Sequence, residues 1–135
     1  MLDIRYIREN PEIVKEGARK KRIPADIDRL IEVDDERRRL LQESETLKAD
    51  KNRVTQEISR LKGAEKTDAI ARMKQVSEEI KGLEERLATV QDEFNVLMLQ
   101  VPNPPDDEVP EGADDTENVE VRRWGAPATF AFEIK

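Results

Sequence analysis

Two stretches of this sequence repeat apolar residues every seven positions, and the spacing within one answers the spacing within the other. With Leu30 at heptad position a, the a series is Leu30, Arg37, Ser44, Lys51 and Ile58, and the d series is Val33, Leu40, Leu47, Val54 and Leu61. Seven of these ten are apolar, and the d row is wholly so. The second stretch places Met73, Ile80, Leu87, Phe94 and Val101 at a, and Val76, Leu83, Val90 and Leu97 at d. Sustained heptads of this kind predict helices that bury one seam against a partner. Between them lies KGAEKTD, where Gly63 reads as a helix stop and Thr67 or Asp68 as the next N-cap. So short a connection makes the helices antiparallel neighbours. The spacing then pairs Leu61 with Met73, Ile58 with Val76, Leu47 with Leu87 and Leu40 with Phe94.

The expected fold is therefore all-α: a long antiparallel two-helix coiled-coil hairpin, with short N-terminal helices at its base and a C-terminal extended tail. The hairpin spans about residues 27–101 with its tip at about 62–68, and residues 1–103 form one helical arm domain. Leu30 to Leu61 would rise about 48 Å, at roughly 1.5 Å per residue. Two helices cannot enclose a globular core, so Leu2, Ile4, Ile7, Ile13, Val14 and Ile27 are expected to pack around Phe94, Leu97 and Val101 where the arm is rooted. Asn10 is placed to cap a helix opened by Pro11. Polar residues at a usually specify register; Arg37 lies one turn from Phe94, where the sequence allows either a cation–π contact or a long stem that snorkels out of the seam. Residues 104–118 read as an acidic Pro-rich linker. Beyond it, VEVRRWG and TFAFEIK alternate with period two, as short strands do.

Composition excludes much. Charged residues make up 41% of the chain and aromatics 4%, which suits long solvated helices better than a large core. There is no Cys and no His, so thiolate chemistry and the commonest general base are absent. A reducing cytoplasm is the natural setting. No apolar run approaches a membrane span, and MLDIRYIREN is not a signal peptide. No paired acids, Gly-rich phosphate loop or metal-ligand cluster emerges, and no catalytic residue or cofactor site is expected in this chain.

Charge maps the arm. Residues 46–75 hold eight basic and four acidic side chains, while 25–45 and 76–101 each carry a net −4, in a chain of net −7. A positive tip with acidic flanks suits a polyanion. The candidate contacts are Lys48, Arg53, Arg60, Lys62, Lys66, Arg72 and Lys74, with Arg53 and Arg60 both at the outward c position. No aromatic lies among them, so contact with backbone and shape is expected rather than base stacking.

MLDIRYIRENPEIV, DDERRRLLQESETLKADKNRVTQEI and VPNPPDDEVPEGADDTENVEVRRWG, taken in order, resemble the N-terminal domain of bacterial seryl-tRNA synthetase over essentially the whole chain. The resemblance implies a parent class II enzyme, cytoplasmic and homodimeric. It would activate serine with ATP and Mg and charge serine tRNA, and selenocysteine tRNA where that exists. It further implies that the arm reaches tRNA on the other subunit, at the elbow and long variable arm. The signature motifs that bind ATP and serine would lie past Lys135, with 119–135 as the start of a catalytic domain. A coiled-coil adaptor or prefoldin-like module is the competing expectation and needs an apolar tip; a DNA-bridging arm ranks below it.

Overall fold

The computed structural model describes residues 2–58, 60–126 and 129–131. The chain forms two units, Met1–Pro104 and Pro105–Lys135. The first is wholly helical: α1 (Ile4–Glu9), α2 (Pro11–Lys20), α3 (Ile27–Ile58) and α4 (Gly63–Gln100). Each start has a local cause. Asp3 accepts the Arg5 N–H at 2.7 Å, Pro11 stands in the first turn of α2, and Asp26 accepts the Arg29 N–H at 2.9 Å to open α3. Asn10 sits at the N-cap of α2 but makes no side-chain cap there. Its amide instead donates to the Tyr6 carbonyl at 3.1 Å and closes α1.

The helices α3 and α4 form the antiparallel hairpin, and the turn comes earlier than the sequence suggested. Here α3 stops at Ile58 and α4 already begins at Gly63. Gly63 does adopt the left-handed backbone that favours glycine, with φ +61°, but it starts a helix there instead of ending one. Thr67 and Asp68 cap nothing; the Thr67 hydroxyl donates back to the Gly63 carbonyl at 3.4 Å, inside the helix.

The early turn moves the register by a heptad. Arg29 reaches Glu93 at 2.7 Å and Arg86 reaches Glu36 at 3.2 Å, all at g positions, while Lys48 meets Glu84 at 2.6 Å, both at e. In an antiparallel seam the apolar layers lie midway between the g–g and e–e pairs. Leu47 therefore faces Ile80, Leu40 faces Leu87, Ser44 faces Leu83 and Val54 faces Met73. The expected pairings of Leu47 with Leu87 and Ile58 with Val76 do not hold. By extending back to Gly63, α4 supplies Lys66 and Ala69 as further seam positions, so Ile58 keeps a partner that an apolar heptad count passes over.

The core sits at the root. Ile7, Val14, Ile27, Leu30 and Met98 are buried together, with Leu2, Ile4, Phe94, Leu97 and Val101 packed against them. Each buried aliphatic side chain is worth about 1.5–3 kcal/mol. Of the apolar residues expected there, Ile13 alone faces solvent, at 52% exposure. The exit segment crosses α2 so closely that a Cβ on Gly17 would lie 2.8 Å from the Pro104 Cα.

The second unit holds one 3-10 turn, Asp115–Glu117. Asp114 caps it, accepting the Thr116 N–H at 2.9 Å and its hydroxyl at 2.6 Å, and those bonds hold its carboxyl below the ordinary aspartate range. The two strands expected here do not form among the described residues, and Phe132–Lys135 lie outside them. Residues 119–124 are extended without a ladder. A strand needs a neighbour to satisfy its backbone, and none is at hand among the described residues.

Candidate nucleic-acid interface

The arm is fixed to its base by charge as well as by apolar packing. Asp34 is 1% exposed, at an e position of α3. Its carboxylate takes Arg8 Nη1 at 3.0 Å from α1 and Arg37 Nη2 at 2.8 Å from its own helix. Arg8 also holds Asp35 at 2.6 Å, and that hydrogen bond is the chief reason its guanidinium is pushed up from the ordinary arginine value. The Arg37 guanidinium lies 4.6 Å from the centroid of Phe94 on α4, the cation–π contact that is one of the two placements the sequence allows. One cluster thus links α1, α3 and α4. Nothing in the heptad count had singled out Asp34, although an acid at i−3 to Arg37, on the seam's flank, was the available signal.

The distal end is built differently. Past Ser44, the α3 seam residues Leu47, Lys51, Val54 and Ile58 are only half-buried, as are Met73 and Val76 opposite. Two of the seven proposed contacts are spent within the protein. Lys48 is tied to Glu84 across the seam and Arg53 to Asp50 at 3.0 Å along α3. Arg60 does not continue an Arg53 stripe, because α3 has already ended and Arg60 belongs to the turn.

The other five gather around that turn. Arg60 and Lys62 lie in it, and Lys66, Arg72 and Lys74 stand on the first turns of α4; all five are exposed. None makes an ion pair among the described residues. Lys62 occupies the N-cap of α4 without a side-chain cap, so the first N–H groups of that helix add their partial positive charge. One face of the tip carries a hollow lined by Val54, Leu61, Ala69 and Met73, with Glu57, Glu65, Asp68 and Arg72 also on it. Arg72 is the one of the five cations that lines it, among three acids. No described group of three or more acids comes together to hold a metal ion.

The structure defines a rooted helical arm whose far end carries exposed cations that make no ion pair among the described residues. The chain belongs to the seryl-tRNA synthetase N-terminal domain family, whose model matches residues 1–105. It is similar to the serine–tRNA ligase of Desulfitobacterium hafniense, 41% identical over 98% of this chain and 32% of the relative. It is also similar to that of Symbiobacterium thermophilum, 43% identical over 100% of this chain and 32% of the relative. In structure it resembles the seryl-tRNA synthetase of Pyrococcus horikoshii complexed with ATP, with TM-score 0.74, 31% identity, and 93% of this chain and 29% of that one covered. The chain spans about a third of the length of the curated relatives it matches.

Proposed function

We propose that this chain is the tRNA-binding arm of a serine–tRNA ligase. The parent enzyme activates serine with ATP and Mg, then transfers it to serine tRNA, and to selenocysteine tRNA where that exists. It works in the cytoplasm as a homodimer, the arm of one subunit meeting tRNA held by the other at the elbow and long variable arm. Residues 104–118 are the linker, and 119–135 begin the catalytic domain. No step through ATP or Mg falls to the residues described above. The chain's own part is to hold phosphates at a fixed distance from its root.

One observation carries this reading: five exposed cations that make no ion pair among the described residues lie in the α3–α4 turn and on the part of α4 that follows it, in a protein of net charge −7. An adaptor arm would show an uninterrupted apolar surface there, whereas among the described residues Ile70 is the one large apolar side chain near the turn that is exposed, and the half-buried hollow of Val54, Leu61 and Met73 carries Glu57, Glu65, Asp68 and Arg72. Lys48 and Arg53 become auxiliary contacts, since each must first leave a carboxylate.

The test is titration of serine tRNA with this chain over a range of salt concentrations, for the wild type and for Arg60→Gln/Arg72→Gln. Each phosphate contact removed should flatten the slope of log affinity against log salt by about 0.7–0.9. The double variant should therefore lose roughly 1.4–1.8 of slope, and a tRNA with a short variable arm should bind more weakly to the wild type. Equal affinity and slope for both proteins would refute the reading.

A further inference from the structure

The chain leaves α2 through a conformation that an arginine does not favour. The Ile23 N–H donates to the Ala18 carbonyl at 3.0 Å and the Arg22 N–H to the Arg19 carbonyl at 2.9 Å. These are the paired bonds with which a helix closes around a left-handed residue, a place usually taken by glycine. Here it is Arg22, at φ +56°, and no other non-glycine residue described has a positive φ. At its other two positive-φ positions the chain uses glycine, Gly63 and Gly125.

The side chains gathered at this helix end are Lys20, Lys21 and Arg22. Lys20 is half-buried and the other two are exposed, and none makes an ion pair among the described residues. The acids of α2 pair with other cations, Glu16 with Arg19 at 2.6 Å and Glu12 with Lys15 at 2.9 Å, although the Lys20 charge also helps to hold the Glu16 carboxyl below its ordinary value, after Arg19. Cations at a helix C-terminus complement its dipole, which gives Lys20 and Lys21 a structural reason. It gives none for Arg22, where glycine would end the helix without strain. What strain at such a position preserves is the side chain itself.

We propose that Lys20, Lys21 and Arg22 form a second phosphate-binding surface, at the root of the arm, for the same RNA that meets the tip. The inference rests on the reading of the tip as an RNA contact and adds a second foothold. The length of α3, about 48 Å at 1.5 Å per residue, separates the two, and both are cationic while the helix between them is flanked by acids. Two footholds that far apart fix the direction in which an RNA lies along the arm, which one cluster cannot do. The ligand is the phosphodiester backbone, because the surface offers charge and no aromatic platform.

Arg22→Gly separates this role from a structural one. In titrations of labelled serine tRNA with this chain, it should flatten the salt slope by about 0.7–0.9, and Lys20→Gln/Lys21→Gln/Arg22→Gly by about three times as much. Arg22→Gly should also melt at a higher temperature than the wild type, while Arg22→Lys keeps the slope. If Arg22→Gly melts lower, or binds with wild-type affinity and slope, the proposal is overturned. The tip variant measured alongside distinguishes the two claims. Loss at the tip with none at the root removes only this second surface. Loss at the root with none at the tip removes the tip assignment and, with it, the second foothold proposed here.

Discussion

The root and the tip of the arm are made from the same two helices and the same heptad, yet they are held in opposite ways. At the root, Leu30, Val33 and Leu40 are at most 1% exposed. A buried carboxylate there satisfies two arginines, and short helices cover the seam from the side. Toward the tip the apolar seam residues are half-buried, and Arg60, Lys62, Lys66, Arg72 and Lys74 face water without an ion pair among the described residues. Packing at one end fixes the direction of the arm. Looser packing and uncommitted cations at the other would leave the proposed binding surface free to adapt to an irregular polyanion. A position's letter in the heptad therefore says little about its energy; its distance from the root says more.

The contrast can be broken most severely at the root. Leu40→Asp puts a charge into a layer with no water, and should cost on the order of 4 kcal/mol or more. Ile58→Asp, also an apolar seam position, should cost less than about 1 kcal/mol because its carboxylate reaches solvent. Equal losses of melting temperature would mean that the two ends are packed alike. An effect between these two is expected from Asp34→Ala. It leaves Arg8 and Arg37 facing each other, each about a quarter exposed, and should destabilise by about 3 kcal/mol. Denaturant titration would show the loss with an unchanged m-value, and adding Arg8→Met should recover part of it. If Asp34→Ala unfolds at the wild-type midpoint, the bridge does not hold the arm to its base.

Much of this was legible in the sequence. Two heptads with complementary spacing admit few folds besides a hairpin, and the apolar N-terminus had nowhere else to pack. The register was not legible. Apolar counting began at Met73, so Lys66 and Ala69 were passed over, and Gly63 was taken for a stop when its left-handed backbone sits at a start. Glycine marks the conformation and not its side of a boundary. VEVRRWG is extended but unpaired among the described residues, because period-two alternation shows that a segment is able to pair, not that a partner exists. At the site, counting charge found the cationic region but not which members are free. Lys48 and Arg53 differ from Lys66 and Lys74 in forming an ion pair with a carboxylate, and for Lys48 that depends on the register. Asp34 was missed because an acid beside a coiled-coil seam ordinarily faces water.

Amide hydrogen exchange of this chain, with and without saturating serine tRNA, tests the account most directly. Without RNA, amides near Leu30 and Leu40 should exchange slowest and those of residues 60–74 fastest within the hairpin. With RNA, residues 60–74 should slow most, followed by residues 20–22, while the buried root is unchanged. If the tRNA binds and the exchange of residues 60–74 stays the same, the tip is not where the RNA is held, and the division of the arm into anchoring root and binding tip is wrong.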